Sequence, residues 1–371
     1  MTHPTINHIN DVLPHIEGRT DFIVARKDGY SVIDYVYALT DSFDDPIRME
    51  CRGLKFGEDG RILARPLHKF FNINEREDTQ AHVLDFTEPH TIMEKMDGSM
   101  IHAAMINGRL VFMTRMGRTD VAIKAERHLT RAVEDGCITL LHWGYTPIFE
   151  WTAPDNRIVV RYDDSRLTLL AIRETASGYY TTRQFCEAWA AEMGVAAVTV
   201  LESGHNFSGA RFAAYARAVL GFEGFVVRFD GGLWVKAKGE DYVLKHKAKD
   251  SILQEKNILA LVLNGGLDDV LPLLDEPDAD AARSYRDAVE AGVAETSAAL
   301  RGFIADNENV PQKEFAVEKV AGLPKAMRSL AFTARKGVDA GEAVRALLIA
   351  NTNNQTRVDE FRELYNARWS I

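Results

Sequence analysis

The segment Met93-Glu94-Lys95-Met96-Asp97-Gly98-Ser99-Met100 sets a lysine beside an Asp-Gly turn, between two apolar, strand-like stretches. A lysine held on such a bend becomes a nucleophile when burial or neighbouring cations lower its pKa. Alone the pattern is weak, since Lys-x-Asp-Gly-Ser also suits an ordinary surface hairpin. Three further clusters give it weight. Phe149-Glu150-Trp151 puts a carboxylate between two aromatics, and Phe222-Glu223-Gly224-Phe225-Val226-Val227 puts a lone acid at the entry of a β-branched run. Trp234-Val235-Lys236-Ala237-Lys238 places two lysines on one face of a strand, because strand side chains alternate with a period of two. Each cluster by itself reads as a strand with a solvated charge. Together they supply a nucleophilic lysine, two acids suited to a hard divalent cation and a paired-lysine phosphate clamp. That is the inventory of phosphoryl or nucleotidyl transfer.

Such groups need a sheet to hold them. Residues 51–56 and 62–66 flank the turn signal Glu58-Asp59-Gly60, and 100–106 and 110–114 flank Asn107-Gly108, the strongest short hairpin signal. Residues 157–162, 167–173, 225–229 and 233–236 continue the strand pattern, with helices expected at 120–135 and 182–193. Strands and helices do not alternate regularly, which favours an α+β sheet domain over a doubly wound one. After about residue 250 the pattern turns helical, at 252–263, 279–306, 314–320 and 341–350, punctuated by Pro272, Pro277, Pro311 and Pro324.

The chain has 371 residues, room for two domains, with 46% apolar and 26% charged residues, as in ordinary globular proteins. Its net charge of −10 argues against a protein that coats duplexes by charge alone, but not against a local grip on a few phosphates. The three cysteines (Cys51, Cys137, Cys186) form no Cys-x-x-Cys pair, so neither a disulfide scaffold nor structural zinc is expected, and a reducing cytoplasm fits. No apolar run approaches a membrane span, and no secretory signal opens the chain.

The order Lys95-x-Asp97-Gly98, Phe149-Glu150, Glu223-Gly224, Lys236-x-Lys238 resembles that of the motifs of the covalent nucleotidyltransferase superfamily. That superfamily comprises ATP-dependent DNA and RNA ligases and mRNA capping enzymes. More closely, the chain is similar to the bacteriophage RNA ligase 1 family. The likeness lies in Glu50-Cys51-Arg52-Gly53, in residues 65–75 (Arg65 to Glu75), in residues 153–159 and in Asp241-Tyr242-Val243-Leu244-Lys245-His246. It runs clearly from about Tyr35 to Lys249.

The resemblance implies an ATP-grasp-like nucleotidyltransferase domain of antiparallel sheets with helices, followed by an all-α C-terminal domain. Residues 1–249, with a family-specific portion at about 1–75, would be the adenylyltransferase domain, and 250–371 would choose the RNA substrate. By the same resemblance Lys95 attacks the α-phosphate of ATP and forms a lysyl–AMP. The AMP passes to an RNA 5′-phosphate, and a 3′-hydroxyl then displaces it. Glu94 lies where the family contacts adenine. Glu150 contacts the ribose or, with Glu223 and Asp97, orders the water shell of Mg²⁺, for which Mn²⁺ substitutes. Lys236 and Lys238 hold the α-phosphate and lower the pKa of Lys95 by like-charge proximity. Tyr35, Arg52 and Lys69 match residues for the β- and γ-phosphates. Arg115 stands where relatives carry a lysine, keeping the charge with a different contact geometry. Met96 replaces a commonly polar residue and is expected to face away from the site.

Among the remaining candidates, Lys245-His246-Lys247-Ala248-Lys249 reads equally as a solvated helix start or, through Lys245 and Lys247, as an RNA contact. His68 is expected to be structural, Cys51 a core residue on a buried strand, and Phe70-Phe71 core with Lys69 pointing away from them. Trp151 and Trp234 could stack on a base, although packing explains either. The eleven histidines show no zinc spacing. The resulting expectation is a monomeric, cytoplasmic ATP-dependent RNA ligase (in the host cytoplasm if viral), engaged in repair of RNA such as tRNA. The alternatives are a DNA ligase or capping enzyme, which would normally carry a β-barrel where this chain turns helical, and a non-catalytic RNA-binding relative, which would not need every charged group found here.

Overall fold

Asn107-Gly108 closes a two-residue hairpin in which both residues have positive φ (50° and 75°), the backbone that matches the right-handed twist of its flanking strands. It joins β7 (Ser99–Ile106) to β8 (Arg109–Met113), pairing Ile106 with Arg109 and His102 with Met113. The computed structural model describes residues 3–201 and 207–370. The chain divides into two compact units, Met1–Val243 and Leu244–Ile371, a division that falls within the helix Glu240–Ile252.

In the first unit the described strands form three sheets. One runs in the order β1 (Phe22–Lys27), β2 (Tyr30–Tyr35), β3 (Arg52–Gly57), β4 (Ile62–Ala64), all antiparallel. The second has the order β11-β10-β9-β7-β8, with β9 Tyr145–Thr152, β10 Arg166–Glu174 and β11 Ala196–Ala197. The third has the order β5-β13-β12-β6, with β5 Phe71–Asn72, β6 His90–Lys95, β12 Gly224–Phe229 and β13 Trp234–Lys238. Pairing is antiparallel except at β10–β11 and β13–β5. This is an α+β architecture.

The third sheet and the five-stranded sheet each pack one face against helices. Val235 and Ala237 of β13, with Phe225 and Val227 of β12, pack on Phe212 and Ala216 of the helix Gly209–Ala218. The period-two alternation therefore turns Lys236 and Lys238 to the opposite face of β13. The five-stranded sheet packs Ile101, Phe149 and Leu169 against Cys137, Leu140 and Met193 of the helices Arg131–His142 and Arg183–Met193. The second unit is helical. Its helices Glu255–Asn264, Glu276–Asp306, Lys325–Arg335 and Ala340–Ala350 enclose a core that includes Leu259, Tyr285, Val289, Leu330 and Val344. Asp275 caps the long helix by accepting the Asp278 N–H at 2.9 Å, with Pro277 in the first turn, where its missing N–H costs nothing. Among the described residues no helix is long and apolar enough to cross a membrane.

Several expected elements differ. The helix expected at 120–135 is two helices, Asp120–Glu126 and Arg131–His142, because the Thr130 hydroxyl caps the second by accepting the Val133 N–H. The stretch 157–162 is not a strand: the N–H groups of Val159 and Val160 go to the Asp97 carboxylate, not to a ladder. Residues 314–320 are not a regular α-helix, since Phe315–Lys319 forms a π-helical turn. Cys51 is fully buried, but it closes the helix Pro46–Glu50 and does not open β3.

Candidate active site

The register of the third sheet builds the centre of the site. Gly224 pairs with Lys95 of β6 on one side and with Lys238 of β13 on the other. Glu223, one residue earlier, therefore lies between two lysines. Its Oε2 is 2.8 Å from Lys95 Nζ and its Oε1 is 2.9 Å from Lys238 Nζ. Only glycine permits this triple alignment: Gly224 has φ +142°, and a Cβ there would fall 2.1 Å from the Ala237 carbonyl oxygen. Both ammoniums are partly exposed while Glu223 is nearly sealed, so the carboxylate is held by the lysines and the lysines face outward.

Glu150 enters from β9, opposite Met100 of β7. It is buried, and its Oε1 accepts the Gly98 N–H at 3.1 Å. The Asp97-Gly98 turn lies so close to β9 that a Cβ on Gly98 would come within 2.4 Å of the Trp151 carbonyl oxygen. Burial pushes the Glu150 carboxyl up to about 7, with the Glu223 charge adding and the Lys95 charge opposing. Asp97 has a different character. Its Oδ2 accepts the N–H groups of Val159 and Val160, each at 2.7 Å, and its Oδ1 accepts the Tyr242 hydroxyl at 2.7 Å. Its own N–H donates to Tyr162 Oη at 3.1 Å. Asp97 thus ties the turn behind Lys95 to the 157–162 loop and to Tyr242.

A second group gathers around Tyr35, at the end of β2. The Arg115 guanidinium lies 4.5 Å over its ring, and Arg115 Nε is 3.0 Å from Asp34 Oδ2. Lys69 Nζ lies 5.2, 4.9 and 5.1 Å from the ring centroids of Tyr35, Phe43 and Phe71, a cation among three aromatic faces. Lys69 therefore shares the side of Phe71 and does not point away from it. Arg52 opens β3 and donates from Nη1 to the Leu67 carbonyl at 3.3 Å. Crowding of like charges is felt at Lys236: burial first, then Lys69, Lys95 and Arg52, push its amine down to about 8. Lys95 Nζ, whose charge Lys236 feels, itself donates to Glu223 Oε2 at 2.8 Å.

Two buried groups escaped the sequence reading. Asp34, pushed up to about 6 by burial against the pull of Arg115, anchors that arginine. Lys55, fully buried and pushed down to about 7, donates to the carbonyls of Gly53 and Arg115. The only signal for either was a charge inside a strand-like run. Glu94 is half-buried on β6, with its N–H on the Thr199 carbonyl at 2.8 Å. Met96, Trp151 and Trp234 are buried, so packing accounts for both tryptophans. His68 is buried and bonded to the Tyr180 hydroxyl, and burial holds it well below the usual histidine range. Lys245 and Lys247 lie on the helix Glu240–Ile252 in the second unit, Lys245 half-buried and Lys247 exposed. Among the described residues no cluster of three or more His, Cys, Asp or Glu side chains could hold a metal ion.

A buried carboxylate held between two lysines, beside a field of further cations, is a layout suited to work on phosphates. The model of the family described as RNA ligase matches residues 50–253, more than half of the chain, and the chain belongs to this family. An inferred RNA ligase of Thermovibrio ammonificans is 29% identical over 289 residues, 75% of this chain and 74% of that protein. RNA ligase 1 of bacteriophage TS2126 is 29% identical over 241 residues, 58% of this chain and 57% of the phage protein. Among solved structures, an archaeal ATP-dependent RNA ligase aligns over 74% of each chain with 15% identity and a TM-score of 0.47.

Proposed function

We propose that the protein is an ATP-dependent RNA ligase that joins 5′-phosphate and 3′-hydroxyl ends through a lysyl–AMP at Lys95 and an adenylylated RNA end. The observation that carries this reading is the ladder register that sets Glu223 between Lys95 and Lys238. The uncharged Lys95 amine attacks the α-phosphorus of ATP. A P–N bond forms, the bond to the bridging oxygen breaks, pyrophosphate leaves and the nitrogen sheds a proton to solvent. An oxygen of the RNA 5′-phosphate then attacks the same phosphorus, the P–N bond breaks and Lys95 recovers its proton. Finally the 3′-hydroxyl attacks the 5′-phosphate phosphorus, loses its proton and expels AMP.

Lys236 and Lys238 would neutralise the α-phosphate through both nucleotidyl steps. Tyr35, Arg52, Lys69 and Arg115 would orient the β- and γ-phosphates so that pyrophosphate departs in line with Lys95. Glu94 would meet the adenine. Glu150 and Glu223 suit a hard divalent cation: both carboxylates are sealed from water, and the cost of ionising Glu150 there is one that a cation would remove. Mg²⁺, or Mn²⁺ in its place, would supply Lewis-acid polarisation of the phosphate oxygens. Asp97 is left out of that set, because its oxygens already hold three donors.

The chemistry would reside in the first unit and RNA choice in the helical one, with Lys245 and Lys247 as RNA contacts. Repair of broken RNA, tRNA among it, by a monomer in a reducing cytoplasm (that of the host if the source is viral) suits three free cysteines, all buried. The test is incubation with α-labelled ATP and Mg²⁺ without RNA, then denaturing electrophoresis and peptide mapping. Label on Lys95, discharged by added pyrophosphate, is the expected result. Label from GTP alone would point to capping, and label from neither nucleotide to a binding relative.

A further inference from the structure

Lys69 sits on a stretch, residues 65–70, that belongs to no strand or helix. Its backbone is held by side chains from elsewhere in the chain. The Arg65 N–H donates to Thr146 Oγ1 at 3.0 Å, and the Pro66 carbonyl accepts Arg173 Nη1 at 2.7 Å. The His68 N–H donates to Tyr180 Oη at 3.2 Å, and His68 Nδ1 lies 2.7 Å from the same hydroxyl. The Leu67 carbonyl accepts Arg52, and the Lys69 N–H donates to the Met49 carbonyl at 2.7 Å. Arg173 and Tyr180 each grip both the stretch and its surroundings.

Behind this stretch lies a buried charge cluster. Glu50 Oε1 is 2.6 Å from Arg173 Nη2, 3.0 Å from Arg65 Nη2 and 3.2 Å from His3 Nδ1. Arg173 also donates from Nε to the Gly178 carbonyl at 2.6 Å, and its guanidinium lies 4.6 Å over the Tyr180 ring. Arg65 and Arg173 have no solvent-exposed surface. Buried ion pairs seldom stabilise a fold more than apolar side chains of the same volume would. What apolar packing cannot do is bind a carboxylate and two carbonyls in one plane, which the five donors of an arginine fork do.

We propose that Arg173 and Tyr180 are positioning residues for nucleotide activation: through residues 65–70 they set Lys69 and the neighbouring Arg52 where the triphosphate of ATP binds. The inference rests on the adenylyltransferase reading. Its chemistry separates two steps. Transfer of AMP to Lys95 has a triphosphate to orient, whereas sealing an RNA end that already carries AMP has none. A residue that acts through Lys69 and Arg52 affects the first step and spares the second. A residue that merely supports the fold affects both.

The experiment uses the full chain and the variant Tyr180→Phe, which keeps the ring beneath Arg173 and deletes one hydroxyl, leaving the buried His68 N–H without a partner. Formation of labelled lysyl–AMP from α-labelled ATP is measured against ATP concentration, and sealing is measured with pre-adenylylated RNA and no ATP. The expected result is a rise of about tenfold in KM for ATP, with sealing changed by no more than about twofold. Arg173→Lys, which keeps a charge opposite Glu50 without the fork, shows a larger loss confined to the same step. Equal losses in both steps, or no loss in either, overturn the inference. If the unsubstituted protein forms no labelled lysyl–AMP, the adenylyltransferase reading fails, and this inference with it.

Discussion

The Lys95 side of the site and the Lys69 side are held by different means. Lys95 and Lys238 sit on the strands that flank β12, Glu223 stands just before it, and the ladder fixes their register, with Gly224 pairing both ways. Lys69 sits on an irregular stretch fixed by an arginine fork, a tyrosine hydroxyl and an aromatic cage. A ladder is cooperative and local, so its geometry survives the loss of any one side chain. A side-chain scaffold is assembled from residues more than a hundred positions apart, and each member is separately removable. On the proposed reading, the side that would form the bond is held by the ladder, and the side that would orient the leaving group is the one with more ways to change.

Four substitutions test that contrast, from the largest effect to the smallest. Lys95→Ala removes the nucleophile, and labelled lysyl–AMP falls to background on a denaturing gel while the melting temperature stays unchanged. Gly224→Ala attacks the ladder. Its Cβ collides with the Ala237 carbonyl, so adenylylation falls by about a hundredfold or more and stability by about 3 kcal/mol in denaturant unfolding. Retention of normal label by that variant would mean that the register does not set the site. Lys69→Met on the other side empties the aromatic cage of charge. KM for ATP rises by about tenfold, and sealing of pre-adenylylated RNA is spared.

The smallest effect concerns Glu150. Burial pushes its carboxyl up from the ordinary 4.5 to about 7, beside Lys95, Glu223 and Arg52. The folded state therefore holds the proton more tightly. The stability that Glu150 contributes is complete below its unfolded value and is lost as pH rises through about 7, by at most about 3 kcal/mol. Glu150→Gln keeps the shape and removes the titration. Measured against the unsubstituted protein, its melting temperature should gain ground between about pH 5 and about pH 8. A constant difference across that range would show that Glu150 is ionised throughout.

What could be read beforehand divides along the same line. The lysines of β13 were placed on one face by alternation alone, and Lys95 was singled out by its Asp-Gly turn. Their register was not legible, because strand pairing is set by the turn and core partners of every strand at once. The strands Phe22–Lys27 and Tyr30–Tyr35 went unread, and of Tyr145–Thr152 only residues 149–151 were seen; Pro147 breaks that pattern, and Asp34 and Glu150 put charges where core residues are expected. The Glu50–Arg65–Arg173 cluster was invisible for a related reason. A charge in the chain looks solvated until the fold shows that it is buried, and only its distant partner explains why it can be. The three donors of Asp97 could not be read beforehand, since they lie about 60 and 145 residues away.

Neighbouring strands lie about 4.8 Å apart, so the backbone span from Lys95 across Gly224 to Lys238 is a fixed gauge of about 10 Å. Side-chain replacement cannot widen it while Gly224 remains between them. On the proposed reading, a nucleotide or nucleic-acid end of another size has to be fitted at the Lys69 side. Tailoring the protein toward other substrates is then a matter of redrawing the mortised wall, residues 65–70 and their tenons, with the gauge left alone.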